Sequence, residues 1–333
     1  MTRPAGQSKI VSIAGTGSYL PQRILTNHDL AKMVDTSDEW IRTRTGINER
    51  HLAADGEATS HMAAEAARRA LHSAGLAADA VDMIIVATIT PDMVFPCTAC
   101  LVQEQIGARH AFCFDIEAAC SGFLYAVETA RNFIANGAVK TVLVIGAEKL
   151  SCITDWEDRV TCVLFGDGAG AAIVQEVGHG RGLMGSVMGS DGSLSGLLNI
   201  PAGGSRKPAS AETVSHRLHY MKMEGREVFR HAVRCMSESV LHVLKKCGVT
   251  AADVDWVIPH QANLRIITAI SERLGVGMDK FHVNLDRVGN MSAASVPVAM
   301  DEAVRLGRVK RGDLVVMVAF GGGFTWGASL MEW

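Results

Sequence analysis

The chain of 333 residues contains no apolar run of 18, so its sequence offers nothing long enough to cross a bilayer as a helix. Its first residues, Met1 to Lys9, lack the apolar stretch of a secretion signal, which predicts a cytoplasmic protein. Excess charge is missing as well. Lys and Arg number 32 and Asp and Glu 35, for a net charge of −3 and a pI near 6.5, so no global field draws nucleic acid or anionic lipid. The expectation is a protein that binds neither nucleic acid nor membrane. Charged residues are only 20% against 48% hydrophobic, which excludes disorder. A disulfide framework is equally out of place, because the eight cysteines lie in a long chain without secretory features. Cys97 and Cys100 form a lone CxxC without a second pair or a His at ligand spacing, which argues against a metal site. Seven cysteines read as small buried hydrophobes, and Cys120 stands apart.

What the chain does have is glycine, 33 residues, and an internal duplication. Residues 73–85 align with 246–258 at an offset of 173, and 136–140 align with 306–310 at an offset of 170. That is half the chain, which suits two copies of one α/β unit, 1–178 and 179–333. The first copy reads as a helix at 59–74, a strand at 83–87, a helix at 98–106, a strand at 111–116, a helix from 121 to 137 and a strand at 141–145. The second reads as a helix at 225–247, a strand at 256–259, helices at 263–274 and 295–306, and a strand at 314–320. Strands that are apolar throughout are buried on both faces, so two sheets sharing a central helical layer are expected, five layers in all. The stretch 190–222, rich in Gly and Ser, reads as an inserted loop region.

Four features could carry chemistry. Cys120 falls at a strand-to-helix corner in Ala118-Ala-Cys-Ser-Gly-Phe123, where a helix N-terminus lowers a thiol pKa. His260 follows the strand at 256–259, where α/β sites collect, although taken alone it reads first as a structural histidine. Asn290 lies in a Gly-Asn pair that also suits an ordinary turn, and Gly321-Gly-Gly323 is either punctuation or a source of N–H groups for an oxyanion. Subtracting 170 from Asn290 gives position 120, so the duplication predicts that both residues occupy one corner of the repeated unit. A pseudo-twofold fold then gathers Cys120, His260 and Asn290 at the seam. The run Phe165-Gly-Asp-Gly-Ala-Gly170 imitates a dinucleotide fingerprint, but it precedes a strand and predicts no nicotinamide cofactor.

Ala118-Ala-Cys-Ser-Gly-Phe123, Pro259-His-Gln-Ala-Asn263, Gly289-Asn-Met-Ser-Ala-Ala-Ser295 and Phe320-Gly-Gly-Gly-Phe-Thr-Trp-Gly327 resemble the signatures of β-ketoacyl-acyl carrier protein synthase III, as does 34–47. The resemblance spans the chain from about residue 8. It implies a thiolase-like α/β fold in a five-layer αβαβα arrangement, a homodimer, and condensation of acetyl-CoA, or another short acyl-CoA, with malonyl-acyl carrier protein. No cofactor or metal is implied, CoA thioester being a substrate. Cys120 is implied as nucleophile, His260 and Asn290 as the decarboxylation pair, and the N–H groups of Cys120 and Gly322 as the oxyanion hole. For CoA the resemblance implies Trp40 and Arg159 about the adenine, with Thr36, Arg44, Gly225, Phe229 and Asn263 along the tunnel. The acyl pocket would be Leu164, Phe165, Phe320 and a partner-supplied Phe95. Carrier-protein docking would involve Arg230, Gln261, Ala262, Asn263, Leu264, Arg265 and Arg273, and Arg226, Arg230 and Arg234 form one helical stripe. Met291 departs from the family's usual Thr and is expected to reshape the acyl pocket. Two other readings stay open: a related condensing enzyme that uses another starter in secondary metabolism, and a cysteine thioesterase.

Overall fold

Two sheets organise residues 9–333, the range described in a computed structural model; the leader reading of residues 1–8 lies outside it. The first sheet is built from β1 (Val11–Tyr19), β2 (Met83–Ala87), β3 (Phe112–Ile116), β4 (Thr141–Lys149) and β5 (Asp167–Glu176), in the spatial order β1-β5-β4-β2-β3. The second contains β6 (Leu183–Ser190), β7 (Trp256–Pro259), β8 (Leu314–Gly321) and β9 (Thr325–Glu332), ordered β7-β8-β9-β6. In the first, β2 is parallel to β3 and β4, while β5 is antiparallel to β4 and β1. In the second, β7 is parallel to β8, and β9 is antiparallel to β8 and β6. The topologies coincide, and so does the register: Met83 opposite Val142 becomes Trp256 opposite Val315 at the offset of 173. The second counterpart of β3 is reduced to one bridge between Val257 and Phe281.

The helices used below are α1 (Asp38–Thr45), α2 (Thr59–Ala74), α3 (Thr98–Ile106), α4 (Gly122–Ala135), α5 (Gly225–Cys247), α6 (Leu264–Leu274) and α7 (Ser295–Arg305). Strand alternation explains the layers. Met83, Ile85 and Ala87 of β2 face α4 and α7 together with Val315, Met317 and Ala319 of β8. Ile84 and Val86 point the other way, onto α2 and α3. Val316 and Val318 of β8 pack on α5 and α6. The expected five layers are therefore present, with α4 and α7 as the shared middle. Each fully buried Val, Leu or Ile contributes roughly 1.5–3 kcal/mol. The alanine face of α2 sits so close to β1 that a Cβ at Gly17 would stand 2.3 Å from Ala70 N.

The expected insertion, 190–222, holds a short turn (Gly192–Leu197), a helix (Ala211–Ser215) and a two-stranded ribbon of Leu198–Asn199 with Lys222–Met223. Among the described residues no helix is long and apolar enough to cross a membrane.

Candidate active site

Beyond β3 the chain turns through Ala119–Ser121 and enters α4 at Gly122. Ala119 is held at φ 44°, a left-handed conformation that costs a non-glycine residue on the order of 1 kcal/mol or more. Its neighbours hold it there. A Cβ at Gly321 would stand 2.6 Å from Cys120 N, so the end of β8 lies directly against the backbone of the cysteine. Thr325 Oγ1 is 2.8 Å from Ala118 O, 3.1 Å from Gly322 O and 3.1 Å from Ser121 Oγ, which ties the triglycine turn to the cysteine turn. The sequence expectation of a lowered thiol pKa does not hold in the unliganded chain. Burial pushes Cys120 up to about 12 and the charge of Glu148 adds to it, against a smaller opposing pull from Ser292 and the residue's own N–H.

His260 extends from β7, and its N–H donates to Val318 O at 2.7 Å, three residues before Gly321. The ring is 3% exposed and burial drives its pKa down to about 3, so the imidazole is neutral. Nδ1 is buried without a partner. Asn290 is fixed to 164–166 by N–H donation to Leu164 O (2.9 Å) and by the Gly166 N–H on its carbonyl (3.0 Å). Its Oδ1 accepts from Ser292 N (2.9 Å), and among the described residues its side-chain NH2 has no protein acceptor. Ser292 in turn interacts with Cys120, so the cysteine and asparagine segments meet.

One expectation about this meeting is corrected. The turn Ala119–Ser121 matches Ser292–Ala294, and left-handed Ala119 matches left-handed Ser292, both at 173. Cys120 therefore corresponds to Ala293, and Asn290 to Glu117. The three candidate residues do not share one corner of the repeat: the Cys120 and Asn290 segments meet, and His260 hangs from β7 beside β8, whose end abuts Cys120. Met291 is corrected too: it is fully buried against Leu20, Val288, Ala294 and Val298, over Gly168, and touches none of the expected pocket residues.

The CoA candidates cluster around α1. The guanidinium groups of Arg44 and Arg159 lie 4.7 and 4.9 Å from the Trp40 ring centroid, and Arg159 also donates to Asp35 O. Arg159 thus stacks on the face of the tryptophan as a cation–π pair. Thr36 Oγ1 is buried and unpartnered. Asn263 caps α6 through Arg265 N and donates to Arg44 O. Gly225 opens α5, and Phe229 lies under Arg265 at 5.9 Å. Phe229, Arg230, His231, Val233, Arg234 and Arg273 line a cleft of about 510 Å³.

Leu164 and Phe165 pack with Leu150, Met221, Leu198 and Ile200, three of them supplied by the insertion, which sequence reading did not connect to the site. Phe320 stacks instead on Phe324 at 4.8 Å, in the adjoining cluster that Leu164 also touches. Phe95 lies apart on a loop, 85% exposed. Of the docking candidates, Arg230, Leu264, Arg265 and Arg273 are exposed and Ala262 half-buried. Gln261 is not available for docking: it is fully buried, with Nε2 donating to Pro259 O and His282 O and Oε1 accepting from Asn284 N and Leu285 N. The Gly-rich run does not simply precede a strand: β5 begins within it, at Asp167, whose carboxylate accepts from Ala53 N and from Ser151 N and Oγ.

Comparisons with known proteins agree over nearly the whole chain. Residues 114–192 match the family model for 3-oxoacyl-[acyl-carrier-protein] synthase III and residues 244–333 the model for its C-terminal part. The β-ketoacyl-[acyl-carrier-protein] synthase III of Desulfitobacterium hafniense is 58% identical, over 97% of this chain and 98% of its own. Among solved structures, 3-oxoacyl-[acyl-carrier-protein] synthase III from Aquifex aeolicus is 51% identical with a TM-score of 0.90, covering 97% and 100% of the two chains. The priming β-ketosynthase of the R1128 polyketide pathway is 34% identical, also at 0.90, over 98% and 97%. With a thiolase-like fold, a cysteine corner backed by glycine, and relatives of this identity over nearly its full length, the chain belongs to the β-ketoacyl-[acyl-carrier-protein] synthase III family of condensing acyltransferases.

Proposed function

We propose that the chain joins acetyl-CoA, or another short acyl-CoA, to malonyl-acyl carrier protein in two half-reactions, with Cys120, His260 and Asn290 as the catalytic residues. In the first, the Cys120 sulfur attacks the thioester carbon. The C–S bond to CoA breaks, the acyl group stays on Cys120, and the thiol proton leaves with CoA. The N–H groups of Cys120 and Gly322 hold the oxyanion of the tetrahedral intermediate. In the second, malonyl thioester loses CO2, and the electron pair delocalises onto the thioester oxygen as an enolate. The neutral His260 ring and the Asn290 NH2 donate to that oxygen. The carbanion then attacks the acyl carbon, the C–S bond to Cys120 breaks, and the departing thiolate takes a proton from water to restore the thiol. The observation that carries the reading is a pair of neutral side chains, each with a free polar atom, beside a cysteine whose backbone N–H is backed by glycine.

The thioester supplies the electrophile and CO2 loss the carbanion, so the chemistry needs no cofactor. Trp40, Arg44, Arg159, Thr36, Gly225, Phe229 and Asn263 accept CoA, which requires Arg159 to yield its place on Trp40. The cationic cleft of Arg230, Arg234 and Arg273, with Arg265, receives the acidic carrier protein. The halves 1–178 and 179–333 act as one unit. Two chains pair through the free edge of β3, where Phe112 is 47% exposed, and through the loop that exposes Val94 and Phe95; Phe95 then enters the partner's acyl pocket. The protein works in the cytoplasm.

Labelled acetyl-CoA with and without malonyl-acyl carrier protein tests the scheme. Label on a Cys120 peptide without the malonyl donor, and acetoacetyl product with it, are expected. Free acetate as the main product would instead indicate a thioesterase. Cys120→Ser abolishes acylation, whereas His260→Ala and Asn290→Ala spare acylation and cripple decarboxylation; equal loss of both half-reactions in the last two overturns their roles.

A further inference from the structure

Gln261 follows His260 directly, and the scheme above gives it no task. Its side chain is fully buried, and its amide makes four hydrogen bonds, all to backbone groups. Nε2 donates to Pro259 O (2.8 Å) and His282 O (3.2 Å), and Oε1 accepts from Asn284 N (3.1 Å) and Leu285 N (3.2 Å). A primary amide has two hydrogens to give and two lone pairs to fill, so nothing is left over. Two carbonyls on one side and two N–H groups on the other also fix which way the amide points.

The topology explains why a side chain is needed there. In the first sheet β2 pairs with β3 from Met83–Phe112 to Ala87–Ile116. In the second, the strand beside β7 is reduced to the bridge of Val257 with Phe281 and the His282 N–H on Val257 O (3.0 Å). Beyond it the chain leaves the sheet for the short helix Leu285–Val288. Pro259, His282, Asn284 and Leu285 are all buried at that departure, where unpaired backbone groups are costly. The Gln261 amide, chemically a peptide group, stands in for the missing strand.

Its two sides lead to the two donors of the second half-reaction. Pro259 O belongs to the peptide that precedes His260, whose N–H is bound to Val318 O at 2.7 Å, so both poles of that peptide are fixed. On the other side Leu285 N opens the short helix, the Gly289 N–H closes it on Leu285 O at 3.0 Å, and Asn290 comes next. We propose that Gln261 is a positioning residue for decarboxylation: its amide locks the His260 turn to the helix that precedes Asn290, so that both side chains converge on one enolate oxygen. The inference rests on His260 and Asn290 being the donors to that oxygen. Cys120 depends on neither attachment, because its turn is held by Gly321 and Thr325.

The test measures the half-reactions separately, as acylation of Cys120 by labelled acetyl-CoA and as release of labelled CO2 from malonyl-acyl carrier protein. Gln261→Glu keeps the shape and loses the two N–H donors, and Gln261→Asn keeps the amide but withdraws it by about 1.5 Å. Glu302 of α7 still holds the same segment through Asn284 Nδ2 (3.3 Å) and the Arg287 guanidinium (2.7 Å), so both variants are expected to fold. Misplacement on the order of 1 Å costs roughly 10²-fold, so CO2 release should fall roughly 10–100-fold, with acylation within about twofold of wild type. Because Gln261 acts through the two donors, adding Gln261→Glu to Asn290→Ala should cost less than it costs the wild type. Wild-type CO2 release from a folded Gln261 variant, an equal fall in both half-reactions, or a full further loss on top of Asn290→Ala would each overturn the proposal. If neither variant folds, amide hydrogen exchange of the wild-type protein decides. The Asn284 and Leu285 N–H groups should be protected as strongly as those of β8, and exchange at the rate of an exposed loop refutes the clamp. If His260→Ala and Asn290→Ala themselves leave CO2 release intact, the donor assignment fails instead, whatever the Gln261 variants do.

Discussion

Adding a single methyl group at Gly321 gives the sharpest test of the oxyanion geometry. The glycine has no left-handed φ, so alanine can adopt its backbone without strain, and the whole effect comes from proximity. The new Cβ would meet Cys120 N at 2.6 Å and Cys120 Cβ at 3.0 Å, where ordinary contact begins at 3.4 Å. The cysteine backbone must then retreat by roughly 0.8 Å, and misplacement on the order of 1 Å at a reacting centre costs roughly 10²-fold in rate. Loss of one oxyanion donor costs about 10²–10³-fold, which agrees. Overpacking lowers stability by about 1–3 kcal/mol, so the protein stays folded. The assay is single-turnover acylation of Cys120 by labelled acyl-CoA, with melting temperature in parallel. Gly322→Ala is the informative neighbour: its Cβ would lie 3.5 Å from Leu198 O, an ordinary contact, and its N–H is retained, so acylation should fall far less. Gly178→Ala, with nothing within 4 Å, is the neutral control. A folded Gly321→Ala protein that acylates at the wild-type rate refutes the argument.

Three further outcomes are expected. Because the folded chain holds His260 near 3 while the unfolded chain titrates near the ordinary 6.5, the unfolded state binds the extra proton between those values, and stability rises with pH across that window. Urea denaturation of His260→Gln at about pH 5 and pH 7 should show a flatter dependence than wild type; an equal slope refutes the buried neutral ring. Gln261→Ala should leave the KM for malonyl-acyl carrier protein unchanged while lowering stability by about 2–3 kcal/mol, because it strands buried carbonyls and N–H groups. Arg50 is buried and donates to Leu25 O, Asn27 Oδ1 and Val163 O, so Arg50→Met should cost about 3 kcal/mol in urea denaturation, and a neutral result would show that those acceptors find other donors.

Much of the fold was legible because its central strands are apolar on both faces: β2, β4, β7 and β8 could be read as buried without any knowledge of their partners. The strands β1, β6 and β9 were not read. Their glycines (Gly15 and Gly17, Gly185 and Gly189, Gly327) break the alternation, and those residues are chosen by close neighbours that only the tertiary structure supplies, such as Ala70 against Gly17 or Trp326 against Gly189. Cys120 and His260 could be singled out because each sits where a strand gives way to a turn, whereas Asn290, which follows the short helix Leu285–Val288, was reached through the duplication and the resemblance. Ser292, Thr325 and Glu148 were missed for the opposite reason. A serine, a threonine or a glutamate in sequence says nothing of its tertiary neighbours: Ser292 and Glu148 are buried, and half-buried Thr325 ties together two turns that different segments form. The resemblance placed Gln261 among the docking residues, but the turn after β7 folds its amide inward.

The corrected offset changes what the duplication means for catalysis. Under a shift of 170, Cys120 and Asn290 would be the same residue of the unit, diverged into two roles. Under 173, which the turns, the left-handed residues and the strand register all obey, each candidate catalytic residue faces a counterpart that cannot do its work: Cys120 has Ala293, His260 has Ala87, Asn290 has Glu117, and Gly321 has Glu148. The repeated unit thus provides two strained corners side by side, only one of which is equipped to react. The second is filled: where the first has Gly321 it carries Glu148, whose buried carboxylate accepts from Thr90, Thr88 and Ile89. Divergence after duplication thus set a glycine, Gly321, against Cys120 at one corner and a buried acid, Glu148, at the other.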